Sequence, residues 1–476
     1  MKHRRKIIAG IIVLLSVVFT STSGCSAGTT TSEYTGNEYY HDQIHKGKIL
    51  LNGIDVSAYQ GEVDWQKVKS SGMDFAIIRI GGRGYESGAL YEDEFFKNNI
   101  QKARDAGILV GTYFFSQATT KTEAAEEVDY LMKLLDGQDL DLPVYMDYEN
   151  AGGEEGRLAK AQLTKIQATA IVNEFLTQIE SRGYKGGFYS STSFINEKIY
   201  GKVLGEYYSM WAAQYNDFCQ YKDIYQIWQY TANGAVDGIE GAVDCNFMYI
   251  EKKSTISSDL SIADCQGTLT APTMEFIYTE GASYTPQIKV INKDITLKEN
   301  LDYKVRYIKN SKAGTAYAMV TGIGKYSDYM LIPFNINPEL KTGKAVSGTV
   351  INMGNVSYDG MIVQLMGEDS SRSWFEKSIP AGANSFSFSN IPKGKYILNI
   401  VGKGIFSKNE AIEVDEEDVK SSINIYPIGD RDFDGKVDET SAVVISKSDV
   451  VRIKFLQKYN LRVDLFKKNL SDKKKN

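Results

Sequence analysis

The sequence predicts an α/β fold. Its first part reads as an incomplete (β/α) barrel, regular in its first five units and with later strands lacking helices. Two small β-sandwich domains and a short C-terminal helical calcium-loop-like segment follow. Three observations lead to this reading. From about residue 50 to 250, short apolar runs alternate with amphipathic stretches, which argues for a parallel sheet, and their number argues for a barrel. From residue 269 the hydrophobic period changes to two, in blocks near 269–339 and 343–427 that each suit a small sandwich. The length, 476 residues, suits roughly three domains.

Taken in order, Lys2, His3, Arg4, Arg5 and Lys6 form a basic region ahead of the mostly apolar stretch 7–19, which is too short to span a bilayer as a free helix. Ser21, Thr22, Ser23 and Gly24 then lead to Cys25. This is the pattern of a secretory signal over 1–25. Gly24-Cys25 resembles the end of a bacterial lipobox, although Thr22 stands where an aliphatic residue is usual. Cys25 is therefore expected to carry a lipid that tethers the protein to the membrane, outside the cytoplasm. Residues 26–48 are polar and Ser/Thr/Gly-rich, as in a flexible tether.

The barrel spans 49–251. Its expected strands are Ile49–Val56, 75–80, 108–115, 143–148 and 186–190, with helices at 63–71, 92–106, Lys121–Leu135 and 159–181. Strands at 208–215, 225–230 and 242–249 follow, joined by loops. A Ser-rich linker, 252–268, leads to the first sandwich, 269–339. There Asn300-Leu301-Asp302-Tyr303 and Gly314-Thr315-Ala316 look like an Ig-like repeat of bacterial surface proteins. The second block, 343–427, contains Gly394-Lys395-Tyr396 and resembles prealbumin-like or carboxypeptidase-regulatory-like modules. Neither carries a chemical constellation, which favours spacer or adhesion roles.

In 428–476, Asp430, Asp432, Asp434, Lys436 and Asp438 have the spacing of an oxygen-rich calcium loop, with Gly435 at the sixth position. Ser441 occupies the position where an acid is expected, and Asp449 is the candidate to replace it. The segment resembles one half of a dockerin repeat, which implies Ca2+ and a protein partner. A basic tail ends the chain.

Composition removes several function classes. With 54 basic and 60 acidic residues the net charge is −6, a poor match to a nucleic-acid backbone. The three histidines are His3, His41 and His45. No later domain can therefore hold a Ser-His-Asp or Cys-His site or a His-ligated zinc. Chemistry there must use carboxylates, Tyr, Lys, Cys or a hard cation. Cys219, Cys245 and Cys265 lack metal-ligand spacing, and their disulfide state is open.

Asp147-Tyr148-Glu149 ends the apolar run beginning at Leu142. Residues i and i+2 of a strand share a face, so two carboxylates stand side by side. Strand C-termini line the active face of such barrels. Asp55 ends the first strand and Asp244 lies near the start of the last, so four carboxylates converge on one cleft. Glycosidic cleavage needs an acid for the leaving oxygen and an anion beside the oxocarbenium-like centre. Close like charges split the two pKa values to suit those roles. Catalysis needs no cofactor.

The motif Gly53-Ile54-Asp55-Val56-Ser57-Ala58-Tyr59-Gln60-Gly61, then Val63-Asp64-Trp65, closely resembles the opening of the glycoside hydrolase family 25 muramidases. Phe75-Ala76-Ile77-Ile78-Arg79, Gly111-Thr112-Tyr113-Phe114-Phe115, Phe188-Tyr189-Ser190, Trp211-Ala212-Ala213-Gln214-Tyr215, Ile227-Trp228-Gln229-Tyr230 and Val243-Asp244-Cys245-Asn246 continue the resemblance in order. It covers about 50–250. It implies hydrolysis of the β-1,4 bond between N-acetylmuramic acid and N-acetylglucosamine in peptidoglycan strands. By the same analogy Glu149 is the general acid, and Asp147 stabilises the positive intermediate or orients the acetamido group. Asp55 and Asp244 support the pair. Tyr59, Tyr113, Tyr189, Trp211, Gln214 and Trp228 are candidate substrate contacts. Phe114 stands where many members have His and is expected to alter a polar contact in the cleft. Two other classes fit the residues less well: another Asp-x-Glu barrel glycosidase of chitinase-like or endo-N-acetylglucosaminidase type, and a non-catalytic wall-binding surface protein.

Overall fold

The computed structural model describes residues 26–436, apart from 256–257, 259, 272–274, 340–342, 356–357, 359, 369–372, 403, 428–429 and 431–432. The expected signal with Cys25, and Asp432, Asp438 and Asp449 of the expected calcium loop, lie outside the described residues. Asp430, Asp434 and Lys436 lie within them. The Asp430 carboxylate accepts hydrogen bonds from the backbone N–H groups of Phe433 (2.7 Å) and Gly435 (2.8 Å).

The chain opens with a hairpin, β1 (Ser26–Thr31) and β2 (Glu38–Asp42). The barrel strands follow: β3 (Ile49–Val56), β4 (Phe75–Arg83), an edge strand β5 (Leu90–Glu92), β6 (Leu109–Ser116), β7 (Val144–Tyr148), β8 (Gly186–Ser191), β9 (Ser209–Ala213), β10 (Ile227–Gly234) and β11 (Val243–Ile250). The helices are α1 (Trp65–Ser70), α2 (Phe96–Asp105), α3 (Lys121–Leu135), α4 (Arg157–Ala161), α5 (Lys165–Ser181), α6 (Thr192–Lys198) and α7 (Gly201–Gly205). β3 pairs with both β4 and β11, which closes an eight-membered ring β3-β4-β6-β7-β8-β9-β10-β11. All pairings in the ring are parallel except β10–β11 and β11–β3. Inside the ring lie Leu51, Phe75, Ile77, Tyr145 and Trp211. Val56, Ile78, Val110, Met146 and Phe188 face the helices. Gly53 and Gly187 have no side chain because the Phe75 and Tyr145 rings occupy that space, 2.3 and 2.4 Å from where a Cβ would stand.

The expected helix 159–181 is two helices, α4 and α5. Thr164 caps α5: its hydroxyl accepts from the Gln167 N–H while the Gln167 side chain accepts from the Thr164 N–H. The loops after β8 carry α6 and α7.

Three boundary expectations are corrected. Residues 26–48 are a docked hairpin in place of a flexible tether. Tyr39 packs on Trp228, Tyr230 and Phe247, His45 stacks on Tyr249 at 3.5 Å, and His41 bonds the Tyr249 hydroxyl at 2.8 Å. Aromatic burial supplies what an aliphatic pattern would normally supply. The expected linker 252–268 also packs down: Ile262 is buried, Gln266–Leu269 is a strand, and the Ser254 N–H donates to the Tyr329 carbonyl. The two sandwich blocks share a twelve-stranded sheet, because strand Glu275–Ile277 pairs in parallel with Tyr329–Asn337 of the first and Ser373–Ile379 of the second. No helix among the described residues is long and apolar enough to cross a membrane.

The first β-rich block sits under the barrel. Ile308 is fully buried against the barrel interior, with Tyr317, Met319 and Leu331 beside it. The Arg306 Nε donates to Asp141 at 3.0 Å and the Lys309 Nζ to the Leu50 carbonyl at 3.1 Å. This closes the mouth at the strand N-termini and leaves the opposite mouth open.

Candidate active site

The C-terminal ends of the parallel strands carry the expected acids to one place. In the β3–β11 ladder Asp55 stands opposite Asp244; β11 runs antiparallel, so its start lies at the same mouth. Asp147, at the end of β7, stands between Phe115 of β6 and Tyr189 of β8. Glu149 is the first residue past β7, and its carbonyl accepts from the Gln117 side chain at 2.8 Å. The four carboxylates line one cavity of about 590 Å³. Asp55 and Asp147 are buried, and Asp244 and Glu149 are half-buried.

The cavity walls explain its shape. Ser57 caps the turn Ala58–Gln60 and lifts Tyr59 to the rim, where it is 87% exposed. The loop between β4 and β5 brings Tyr85, Glu86 and Ser87 to the opposite side. Arg83 pins that loop, donating to the Gly88 carbonyl and to buried Glu127, both at 2.8 Å. Arg79 lies in the floor, bonded to Asp93 at 2.7 Å, with the Tyr59 ring 5.1 Å away.

Hydrogen bonding fixes which oxygen of Asp55 holds negative charge. The Trp211 indole N–H can only donate, and it donates to Asn246 Oδ1 at 2.8 Å. The Asn246 amide nitrogen must then face Asp55, where it donates to Oδ2 at 2.7 Å. Gln229 repeats the arrangement. Its Oε1 accepts from the Tyr189 and Tyr215 hydroxyls at 2.8 and 2.9 Å, and its nitrogen donates to the same Asp55 Oδ2 at 2.9 Å. Any proton on Asp55 therefore sits on Oδ1.

Every one of these acids is harder to ionise than usual. Burial raises Asp55, with Asp244 and Glu149 adding repulsion and the two amides opposing. Burial raises Asp147, and Glu149 and Asp55 push further, against the pull of Arg79. Burial and then Asp244 raise Glu149, and burial raises Asp244 to about 6. The Asp147 Oδ1 is buried with no hydrogen-bond partner among the described residues. A buried lone acceptor is costly unless a ligand donor meets it. The cluster can hold a proton on one carboxyl and charge on another in the same open cleft.

Of the expected substrate contacts, Tyr59 and Tyr113 line the cavity. Tyr189 and Trp211 are buried in the barrel wall and act through Gln229 and Asn246. Trp228 is fully buried beneath the hairpin, and its indole donates to the Gln214 carbonyl at 2.8 Å. The Gln214 side chain accepts from the Gln220 N–H at 2.7 Å, so it braces a loop outside the cavity. Phe114 is also corrected: it faces the helices, packing on Phe175, and has no place in the cleft. Strand alternation could have shown this, since Tyr113 and Phe115 take the inward positions. Arg79, Tyr91 and Phe115 line the cavity without having been singled out. Asn246 was legible as the i+2 neighbour of Asp244; Gln229 had no comparable signal. Cys219, Cys245 and Cys265 are free thiols.

Residues 54–239 match glycosyl hydrolases family 25. The protein YegX of Escherichia coli strain K12 is 31% identical over 205 residues, covering 41% of this chain and 68% of that protein. Lysozyme M1 of Streptomyces globisporus is 28% identical over 205 residues, covering 41% of this chain and 67% of that protein. Among solved structures, the modular autolysin LytC from Streptococcus pneumoniae aligns at 23% identity with a TM-score of 0.39, covering 47% of this chain. This chain spans about half of that autolysin's length, 52%.

Proposed function

The chain belongs to glycosyl hydrolases family 25, and on that premise we propose that it is a peptidoglycan N-acetylmuramidase. It cleaves the β-1,4 bond between N-acetylmuramic acid and N-acetylglucosamine. The observation carrying this reading is the meeting of Asp55, Asp147, Glu149 and Asp244 in one open cavity. Glu149, the more open member of the Asp-x-Glu pair, is the general acid for the leaving oxygen. Its raised pKa keeps it protonated nearer neutral pH. Asp147, with its unsatisfied Oδ1 and Arg79 nearby, takes the substrate's acetamido N–H or the developing positive charge. Asp55 and Asp244 supply the surrounding negative field. Tyr59 and Tyr113 offer aromatic faces to the sugar C–H groups.

The protein works outside the cytoplasm, held to the membrane by a lipid on Cys25. The C-terminal loop with Asp430, Asp432, Asp434, Lys436, Asp438 and Asp449 binds Ca2+ and docks a protein partner. If calcium binds there, adding it raises the melting temperature of the full chain, and chelator reverses the rise.

Digestion of purified peptidoglycan followed by mass spectrometry tests the activity. Wild type should release fragments with new reducing-end muramic acid. Glu149→Gln should lose about 10²–10⁴-fold in rate, and Asp147→Asn should be similarly impaired. Reducing-end glucosamine would assign the chitinase-like specificity instead. Equal digestion by Glu149→Gln and wild type would remove catalysis from this site.

A further inference from the structure

We propose that the N-terminal hairpin builds a second saccharide subsite beside the catalytic cavity, taking a neutral hexosamine unit farther along the glycan strand than the bond that is cut. The proposal rests on the muramidase reading above. The hairpin lies ahead of the segment that matches the family, 54–239, while the barrel side of the site lies within it.

A cavity of about 400 Å³ opens between the hairpin and the barrel rim. Asn37 and Glu38 form its hairpin side, Tyr215, Asn216 and Asp217 its barrel side, and the Tyr230 ring its floor. The volume falls within the range of about 300–1,000 Å³ usual for small-ligand sites. Its walls are fixed to each other. The Tyr40 N–H donates to the Asp217 carbonyl at 2.8 Å, joining hairpin to rim, and the Ser32 hydroxyl bonds the Tyr230 hydroxyl at 3.0 Å. The cavity is therefore a built feature of the docked hairpin.

Tyr215 joins the two spaces. Its hydroxyl donates to Gln229, which in turn donates to Asp55, while its ring lines the second cavity and is 59% exposed. The Tyr215 ring is thus two hydrogen bonds away from the Asp55 carboxylate.

The lining matches a sugar. An exposed Tyr face accepts the apolar side of a pyranose. Two Asn side chains donate and accept, and the Glu38 and Asp217 carboxylates accept from hydroxyls. Glu38 Oε2 takes the Tyr40 hydroxyl at 3.0 Å, which leaves Oε1 for a ligand. Among the described residues, no Lys or Arg lines the cavity. An anionic peptide terminus would meet two carboxylates uncompensated, which selects a neutral saccharide over the peptide arm.

The test uses the full chain carrying Glu149→Gln, so that strands bind without being cut. Calorimetry compares peptide-free glycan strands of four and eight sugars. The longer strand should bind tighter, and adding Glu38→Ala with Asn216→Ala, both surface positions, should lower the ratio of the two affinities about tenfold. In the catalytic background the same pair should lower the ratio of kcat/KM for long over short strands. An unchanged ratio in a protein that still cuts short strands overturns the subsite and leaves the muramidase reading standing. A protein that binds neither strand overturns both. Tighter binding of strands with intact peptide arms, lost on Glu38→Ala and Asn216→Ala, overturns the saccharide assignment.

Discussion

At the scale of single residues, the cleft holds acids in a form that opposes folding. Asp244 has its carboxyl raised from 3.8 to about 6 by burial. Between those values the folded protein binds more protons than the unfolded chain. Stability from this group is therefore present in acid and declines as pH rises through that window. Asp244→Asn removes the ionisation, and no hydrogen bond to the Asp244 carboxylate has to be given up among the described residues. We expect the variant to be more stable than wild type by about 1–2 kcal/mol at pH 7.5, with the gain gone near pH 4, and to be less active. Denaturant titration at the two pH values measures this, and an equal gain at both would refute the assignment. The four acids were legible because a strand end with Asp-x-Glu has a defined face. The aromatic contacts were less so: Trp211, Trp228 and Tyr59 share a composition cue, and only depth separates a wall, a floor and a rim.

At the scale of elements, β3 and α3 have the ends their sequence patterns imply, since apolar runs with clear punctuation fix them locally. The split between α4 and α5 was also written locally, in the Thr164 and Gln167 cap. The hairpin was not. Its strands are polar, and their fit depends on aromatic residues nearly two hundred positions away, which no window of sequence contains. His45 shows what that docking demands. It lies flat on Tyr249 and edge-on to Tyr225, with both ring nitrogens buried and unpartnered among the described residues. Burial, with Lys48 and His41 nearby, pushes it down to about 3. The unfolded chain takes up this proton near pH 6.5 and the folded one does not, so stability falls as pH drops below that value. His45→Phe keeps the stack and removes the titration. It should be more stable than wild type by about 1–2 kcal/mol at pH 5 and nearly equal at pH 7.5. His41, pushed down to about 4 by burial, remains to cause the residual acid loss. Thermal melts at both pH values decide it; a difference independent of pH would mean that the ring matters only as packing.

At the scale of the whole molecule, the β-rich half does more than extend the chain. The barrel's N-terminal mouth exposes Ile49, Leu51 and Leu109, and the first β-rich block covers them with Ile308 and Tyr317. Two kinds of contact hold this seam, and their magnitudes differ. The Lys304–Asp139 pair lies at its rim, where such a pair contributes about 0–1 kcal/mol. Ile308 is wholly buried, and truncating such a side chain costs about 2–5 kcal/mol. If the barrel and its cap unfold together, Ile308→Ala should lower the melting temperature of the barrel itself, read from the near-ultraviolet signal of its tryptophans Trp65, Trp211 and Trp228. Asp139→Ala, which removes only the exposed partner of Lys304, should barely move it. Should Ile308→Ala leave that signal's transition in place, the β-rich half would be an appendage. Coupled unfolding, by contrast, means that the closed mouth steadies the strands whose opposite ends carry the acids.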